Sequence, residues 1–124
     1  MSKINYYKFI FYFFIFVIIL LSVYPGNVCE PSNECKAVLK KYNKLNHFIS
    51  YFITGIAGFL AYPETRNFFK LLVSLLLLAI FLEIVQIWVP NRSFEFLDML
   101  SNISGVVIGL AIIQIFNKIR NIKI

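Results

Sequence analysis

The feature that most constrains this chain is a series of four long apolar runs separated by short polar stretches. The runs cover residues 6–24, 47–62, 68–89 and 97–116. An α-helix needs about 20 mostly apolar residues to cross the hydrocarbon core of a bilayer. Prolines, which end helices, stand just past three of the runs: Pro25, Pro63 and Pro90. The runs therefore predict four transmembrane helices, of which the short second one, with its polar start, is the least typical.

Composition excludes both a soluble domain and a disordered chain. Of the 124 residues, 60% are hydrophobic and only 15% are charged. A soluble domain averages about 45–50% apolar and about 25% charged residues, and a chain this small has too little interior to hide the excess from water. Nor do the runs alternate apolar with polar residues, as barrel strands do. We therefore predict an all-α integral membrane bundle of four transmembrane helices, without a separate soluble catalytic domain.

Basic residues in the flanks and loops predict the orientation of the bundle. With four spans, the side that holds both termini carries seven cations and the other side five: Lys3, Lys8, Arg66, Lys70, Lys118, Arg120 and Lys123 against Lys36, Lys40, Lys41, Lys44 and Arg92. This excess favours cytoplasmic termini in a multi-pass protein of the cytoplasmic membrane. The net charge of +6 is also suited to anionic lipid head groups. Because no basic helix face remains outside the spans, membrane lipid is the expected partner and nucleic acid is not.

Two cysteines lie in the long loop, residues 25–45, which this orientation places outside the cytoplasm. Disulfides persist there, and Cys29 and Cys35 are close enough in sequence to pair, although two free thiols are the alternative. Two cysteines and one distant histidine are too few for a zinc site, so we expect no metal and no cofactor. Residues 1–24 lack the small residues of a signal-peptide cleavage site and are expected to remain as a membrane anchor.

Polar residues in and beside the last three runs are predicted to meet at one end of the bundle. Successive spans run in opposite directions, so the start of the second, the end of the third and the start of the fourth share one membrane face. Ionisable groups at membrane depth are costly and usually functional. The residues concerned are His47, Glu83, Gln86, Arg92, Glu95, Asp98 and Asn102. Together they predict a polar pocket between helices, open to the membrane interface.

Within each run these residues also share a helix face, because residues three or four apart are neighbours on a helix. Two such stripes are Asp98, Asn102, Gly105 and Gly109 in the fourth run and His47, Tyr51 and Gly55 in the second. Small residues let helices approach closely in lipid. The polar face of the fourth helix is therefore also predicted to be its packing face.

Four motifs of the chain resemble the VanZ-like family of small bacterial membrane proteins. They occur in the family's order and spacing over residues 43–112 and read Asn43-Lys44-Leu45-Asn46-His47, Glu83-Ile84-Val85-Gln86, Pro90-Asn91-Arg92 and Asp98-x-x-x-Asn102-x-x-Gly105. One departure is Asn43, where the family often has an acid. The resemblance implies a three-helix membrane core over residues 46–117, followed by a basic tail over 118–124. It also implies a bacterial envelope protein, in a family named for an accessory role in glycopeptide (teicoplanin) resistance.

Three functions are compatible with these residues. The first is an outer-face pocket that binds a polar or anionic envelope molecule, such as a lipid-linked cell-wall precursor or a glycopeptide, with Glu83, Arg92 and Asp98 making the essential contacts. The second is a small membrane enzyme for a lipid-linked substrate, with Glu83 or Asp98 as base and His47 as acid. No established catalytic motif is present to support it. The third is a structural subunit in which Glu83 pairs with Arg92.

Overall fold

Four helices make up the part of the chain that the structure describes. The computed structural model describes residues 2–23, 33–90 and 94–122, and the regular elements in these segments are all helical. In chain order they are α1 (Lys3–Val23), α2 (Asn33–Ala61), α3 (Thr65–Val85), a short 3-10 turn (Gln86–Trp88) and α4 (Phe96–Ile122). The prediction of an all-α fold is confirmed.

Three of these helices are long and apolar enough to cross a bilayer. The segments are Asn5–Val23 in α1, Asn67–Trp88 in and beyond α3, and Phe96–Arg120 in α4. They correspond to the first, third and fourth apolar runs of the sequence. Much of their surface is exposed and apolar, with Phe9 and Phe69 about 70% accessible, which is unfavourable in water and suited to lipid. The chain therefore has the helices of a multi-pass membrane protein.

Helix α2 differs from the predicted second span in where it begins. It starts at Asn33 rather than near His47, so residues 33–45, which we expected to belong to the loop, are helical. This segment contains four Lys and two Leu and neither Gly nor Pro, which favours a helix although its hydropathy is low. Its polar start also explains why α2 is not one of the three helices that qualify as spans on length and apolarity.

The cysteine pair predicted in this region stays a prediction. Cys29 lies outside the described residues, and Cys35 lies in α2 at a position where the structure describes the backbone alone.

Prolines end the apolar helices where the sequence predicts. Helix α2 ends at Ala61, and Pro63 begins the connection to α3, whose N-cap residue, Glu64, is extended at φ −68° and ψ 136°. Pro90 likewise follows the 3-10 turn that closes α3. Because proline has no backbone N–H and restricts the residue before it, neither helix can continue through these points.

Helices α1 and α2 are antiparallel neighbours. Near the middle of α1 the hydroxyl groups of Tyr12 and Tyr62 form a hydrogen bond, and Tyr62 directly follows the end of α2. Near the C-terminal end of α1, Ser22 lines the same cavity as His47, which lies earlier in α2. The two helices therefore run in opposite directions, and the middle of α1 lies beside the end of α2.

Helices α2 and α4 run parallel and form the most extensive helix contact of the bundle. A Cβ atom added at Gly105 would lie 2.5 Å from the carbonyl oxygen of Phe48, and one at Gly109 would lie 2.6 Å from that of Phe52. These contacts advance together along both chains, which sets the parallel direction. The two backbones can approach so closely because these positions of α4 carry no side chain.

Helix α3 closes the bundle by packing against α4 and α1. Its start lies beside the end of α2, where the Leu71 side chain would contact a Cβ added at Gly58. It is therefore antiparallel to α2 and α4 and parallel to α1. Apolar side chains fill the space between the helices, and the most deeply buried of them include Leu75, Ala79, Leu82, Val106 and Leu110.

Candidate functional site

Four polar side chains are almost completely buried at one end of the bundle. Glu83 and Asn102 are 1% exposed, and Gln86 and Asp98 are 2% exposed. Glu83 and Gln86 come from the end of α3 and the 3-10 turn, and Asp98 and Asn102 from the first turns of α4. Burying polar groups is unfavourable unless other polar groups compensate for the lost water. We call these four residues the polar cluster.

The connection between α3 and α4 positions the polar cluster. Beyond Val85 the chain tightens into the 3-10 turn, whose last hydrogen bond joins the Val89 N–H to the Gln86 carbonyl at 3.2 Å. After the connection, the carbonyl of Glu95 accepts hydrogen bonds from the N–H groups of Asp98 and Met99 at 3.1 and 3.2 Å, and α4 begins. The polar ends of the two helices are thereby brought side by side.

The Glu83 carboxylate joins these two helix ends directly. Its Oε1 accepts a hydrogen bond of 3.3 Å from the backbone N–H of Glu95, just before α4. The N-terminus of a helix carries partial positive charge, which favours a carboxylate beside it. Asp98, in the first turn of α4, benefits from the same field. Both acids therefore have a structural role at the start of α4, in addition to whatever they bind.

Helix α2 contributes Tyr51 to the inner side of the polar cluster. Its side chain is 2% exposed, and its hydroxyl lies within electrostatic range of the Glu83 carboxylate. One turn further on, Thr54 is completely buried and donates its hydroxyl proton to the carbonyl of Ser50 at 2.7 Å. The polar residues of α2 therefore face the same interior as those of α3 and α4.

The buried polar atoms without a hydrogen-bond partner among the residues that the structure describes include the hydroxyl oxygen of Tyr51 and the amide oxygen Oδ1 of Asn102. Such atoms are rare in folded proteins, since each loses its hydration without replacement. A hydroxyl can donate or accept, whereas an amide oxygen only accepts. The pair is therefore suited to a bound group that carries a hydroxyl or an amine.

A cavity of about 120 Å³ opens between α1 and α2 at this end of the bundle. It is lined by Ile18, Leu21, Ser22, Asn46, His47, Ser50 and Tyr51. The sequence predicts a pocket lined by His47 together with the carboxylates and amides. Of those residues only His47 lines this cavity, and the four residues of the polar cluster do not. Tyr51 of α2 borders both, because it lines the cavity and lies within electrostatic range of Glu83.

The structure thus brings together six of the seven polar residues predicted to meet at one end of the bundle, Glu95 through its backbone N–H to Glu83. His47, Glu83, Gln86, Asp98 and Asn102 all lie at the end where α3 finishes and α4 begins, which is the end at which the alternation of the helices places them. Arg92 lies outside the described residues. Among those that are described, no group of three or more His, Cys, Asp or Glu side chains is arranged to hold a metal ion.

Sequence reasoning did not identify Ser22 and Ser50 as part of this site, and it placed Tyr51 only on a helix stripe. Ser22 is 5% exposed and is the one polar residue late in the first apolar run, which is the signal that points to it. Ser50 and Tyr51 stand one helical turn beyond His47. Since they follow it on the same helix face, their spacing was the available clue.

Comparison with known proteins identifies one family. No curated protein and no solved structure matches the chain. The model of the family described as VanZ/LLP1 matches residues 7–117. That span includes α1 and is therefore longer than the region, residues 43–112, whose motifs carry the resemblance. It also contains all the residues of the polar cluster and of the cavity beside it. The chain belongs to the VanZ/LLP1 family.

Proposed function

We propose that this chain is a four-span bacterial membrane protein whose polar cluster binds the sugar or amino groups of a cell-envelope molecule. The proposal has three parts, which are the path of the chain through the bilayer, its orientation and the chemistry of the ligand. Each part draws on a different set of described residues.

The directions of the helices support a fourth crossing by α2. Helices α1 and α3 run the same way, so the chain has to return through the bilayer between Val23 and Thr65. Helix α2 is the element that connects these points, and it runs antiparallel to both. It is also surrounded by α1, α3 and α4, with Ala57, Phe59 and Ala61 buried among them. A helix that faces other helices needs less apolar surface than one that faces lipid.

The distribution of charge supports cytoplasmic termini. The end of the bundle where α1 and α3 begin and α4 finishes carries Lys3, Lys8, Lys70, Lys118 and Arg120. Short basic segments beside spans are retained in the cytoplasm. In this orientation the polar cluster, at the opposite end, faces the outer side of the cytoplasmic membrane. A protein encounters cell-wall precursors and antibiotics on that side.

The single observation that carries the ligand chemistry is that the buried oxygens of Tyr51 and Asn102 have no hydrogen-bond partner in the described part of the chain. Ligand hydroxyl or amine groups would satisfy them, because such groups can donate a hydrogen bond to Asn102 Oδ1 and donate or accept one at the tyrosine hydroxyl. Sugars carry such groups at high density. The candidates are therefore a lipid-linked cell-wall precursor or a glycopeptide, and Arg92 is the residue proposed to contact an anionic group on either one. Binding a glycopeptide would give the protein an accessory role in resistance.

The binding experiment uses the one tryptophan of the chain as a reporter. Trp88 lies in the same 3-10 turn as Gln86 and is 76% exposed, so a ligand at the polar cluster should change its emission. The full chain, purified in detergent, is titrated with a lipid-linked cell-wall disaccharide and, in a second series, with teicoplanin. The variants are Tyr51→Phe and Asn102→Leu, with Tyr6→Phe as the matched control.

Tyr51→Phe is expected to weaken binding about three- to tenfold, as for the loss of one hydrogen bond. Its thermal midpoint should stay within about 2 °C of that of the parent protein. Removing a hydroxyl that makes no hydrogen bond in the described part of the chain breaks no interaction of the fold. Tyr6→Phe makes the same chemical change at an exposed position at the opposite end and should bind as the parent does. Equal affinities for the two tyrosine variants, or no binding of either probe, would contradict the proposal.

A further inference from the structure

We propose that a groove between α1 and α3, at the basic end of the bundle, is a binding site for an anionic phospholipid. This end is opposite to the polar cluster, so the site is separate from the one described above. The groove has a volume of about 460 Å³ and is lined by Phe11, Tyr12, Ile15, Tyr62, Asn67, Lys70, Leu71, Ser74, Leu75 and Leu78. That volume is within the range of roughly 300–1,000 Å³ that is usual for ligand clefts.

The groove exists because α1 and α3 touch each other less than α1 touches α2 or α3 touches α4. Helix α1 packs mainly on α2, and α3 packs mainly on α4. The two helices run parallel with a gap between them, and the gap opens toward lipid. Its floor is formed by apolar side chains such as Phe11, Leu71 and Leu75, the last only 2% exposed.

The polarity of the groove changes along its length. At the end near the start of α3 are Lys70, Asn67 and the hydrogen-bonded hydroxyls of Tyr12 and Tyr62. Toward the middle of the bundle the lining is mostly aliphatic. A phospholipid has the same order, with a polar head at the membrane surface and acyl chains below it.

The length of the groove corresponds to one leaflet of a bilayer. On α3 the lining extends from Asn67 to Leu78. At a rise of 1.5 Å per residue this is a depth of about 16 Å. Half of a hydrocarbon core of about 30 Å is close to the same value. An acyl chain that enters from the basic end would therefore reach the bilayer midplane where the groove ends.

Charge selects an anionic head group for this site. Lys70 lines the groove, and the Lys8 ammonium lies over the Tyr62 ring, 5.1 Å from its centroid. None of the lining residues is acidic. Among the described residues at this end of the bundle, Glu64 is the single acid, against the five cations named above. A phosphate placed between α1 and α3 would thus meet ammonium groups from both helices and the two tyrosine hydroxyls.

The test measures lipid binding to the purified full chain by native mass spectrometry. The protein in detergent is titrated with phosphatidylglycerol, and in parallel with phosphatidylcholine of the same acyl chains. The double variant Lys8→Gln/Lys70→Gln removes the two groove cations. The control Lys118→Gln/Arg120→Gln removes two cations from the same end, outside the groove. Lys70→Gln alone, at an exposed position, serves if the double variant does not fold.

We expect phosphatidylglycerol to bind tighter than phosphatidylcholine, and each groove cation removed to weaken it about fivefold. The control variant Lys118→Gln/Arg120→Gln should change the affinity for phosphatidylglycerol by less than about twofold, because exposed charges outside the groove are screened by salt. A result in which both pairs weaken binding equally would overturn the site, because it would indicate diffuse attraction to a basic surface.

A second pair of variants tests the acyl-chain part of the groove. Ser74→Phe adds a ring inside the lining, and Ser104→Phe adds the same ring at an exposed position on α4 that is not part of it. Ser74→Phe is expected to reduce binding of both lipids, whereas Ser104→Phe should leave it unchanged. Unchanged binding to Ser74→Phe would also overturn the proposal.

Discussion

Glu83 shows how a single ionisable residue is retained in an apolar helix. Its carboxylate is 1% exposed, which deprives it of water. The N–H of Glu95 and the positive end of α4 replace part of that hydration, because both present positive charge to the carboxylate oxygens. The residue is consequently a link between α3 and α4 whether or not it also contacts a ligand. Separating its structural role from a binding role requires one variant that keeps the hydrogen bond but removes the charge, and a second variant that removes both.

Glu83→Gln and Glu83→Ala provide this separation. The glutamine keeps an acceptor for the Glu95 N–H and loses only the charge, so the free energy of unfolding should fall by about 1 kcal/mol or less. The alanine removes the acceptor and leaves a cavity, which should cost about 2–4 kcal/mol. Thermal unfolding in detergent, followed through Trp88 emission, measures both. Equal losses for the two variants would show that the hydrogen bond to Glu95 does not hold the helices together.

Residues of the candidate site differ in how visible they are in the sequence. Glu83 and Asp98 stand out because a charged residue in an apolar run has few explanations. Tyr51 does not, since tyrosine is common where helices meet the membrane surface, and its burial depends on α3 and α4, which are distant in sequence. Its hydroxyl has no hydrogen-bond partner in the described part of the chain, and this follows from how the bundle assembles and not from the residue type.

Helices α2 and α4 illustrate how glycine determines the distance between two elements. At Gly105 and Gly109 an added methyl group would meet a backbone carbonyl of α2, which cannot move aside as a flexible side chain can. At Gly55 the nearest atom, the carbonyl oxygen of Val106, would be 3.4 Å away, an ordinary contact. The three glycines share a helix interface, yet only two of them require the absence of a side chain.

Alanine substitutions should therefore divide the glycines into two groups. Gly105→Ala and Gly109→Ala should each lower the free energy of unfolding by about 1–3 kcal/mol, because α2 and α4 must move apart. Gly55→Ala should be neutral or stabilising by about 0.5–1 kcal/mol, since alanine favours the helix over glycine. Thermal midpoints of the three purified variants measure this difference. A loss at Gly55 as large as at Gly109 would contradict the described packing.

The boundaries of the elements were predictable only where hydropathy determines them. Three apolar runs match α1, α3 and α4, and the prolines mark where the helices stop, because lipid and proline each impose a strict requirement on the backbone. The start of α2 was misplaced because the segment after Asn33 forms a helix through its propensity while remaining polar. A criterion based on apolar runs cannot detect such a segment.

The whole molecule is polar at one end and basic at the other. At one end the described residues gather buried acids and amides, and at the other they carry five exposed or half-buried cations with one acid. An asymmetry of this kind orients a protein in a membrane. With the proposed cytoplasmic termini, the two candidate sites would lie in different leaflets, the proposed sugar site in the outer one and the proposed lipid site in the inner one.

Reporter fusions test both the orientation and the number of crossings. A fluorescent protein after Ile124 should be bright, as in the cytoplasm, and alkaline phosphatase inserted in the 25–32 segment should be active, as outside it. Four crossings place these two sites in opposite compartments, whereas three crossings without α2 place them in the same one. An active phosphatase together with a dark fluorescent protein would therefore rule out the crossing of α2. An inactive phosphatase together with a dark fluorescent protein would rule out the orientation.

The backbone contact between α2 and α4 has a mechanical consequence. The main chains of these helices meet at Gly105 and Gly109, so one helix cannot shift along the other without a backbone clash. We therefore expect α2 and α4 to move together and α1 and α3 to separate from them more readily. On this expectation a ligand would reach Asn102 by displacing α1 or α3, and the cavity beside His47 lies where α1 and α2 would separate.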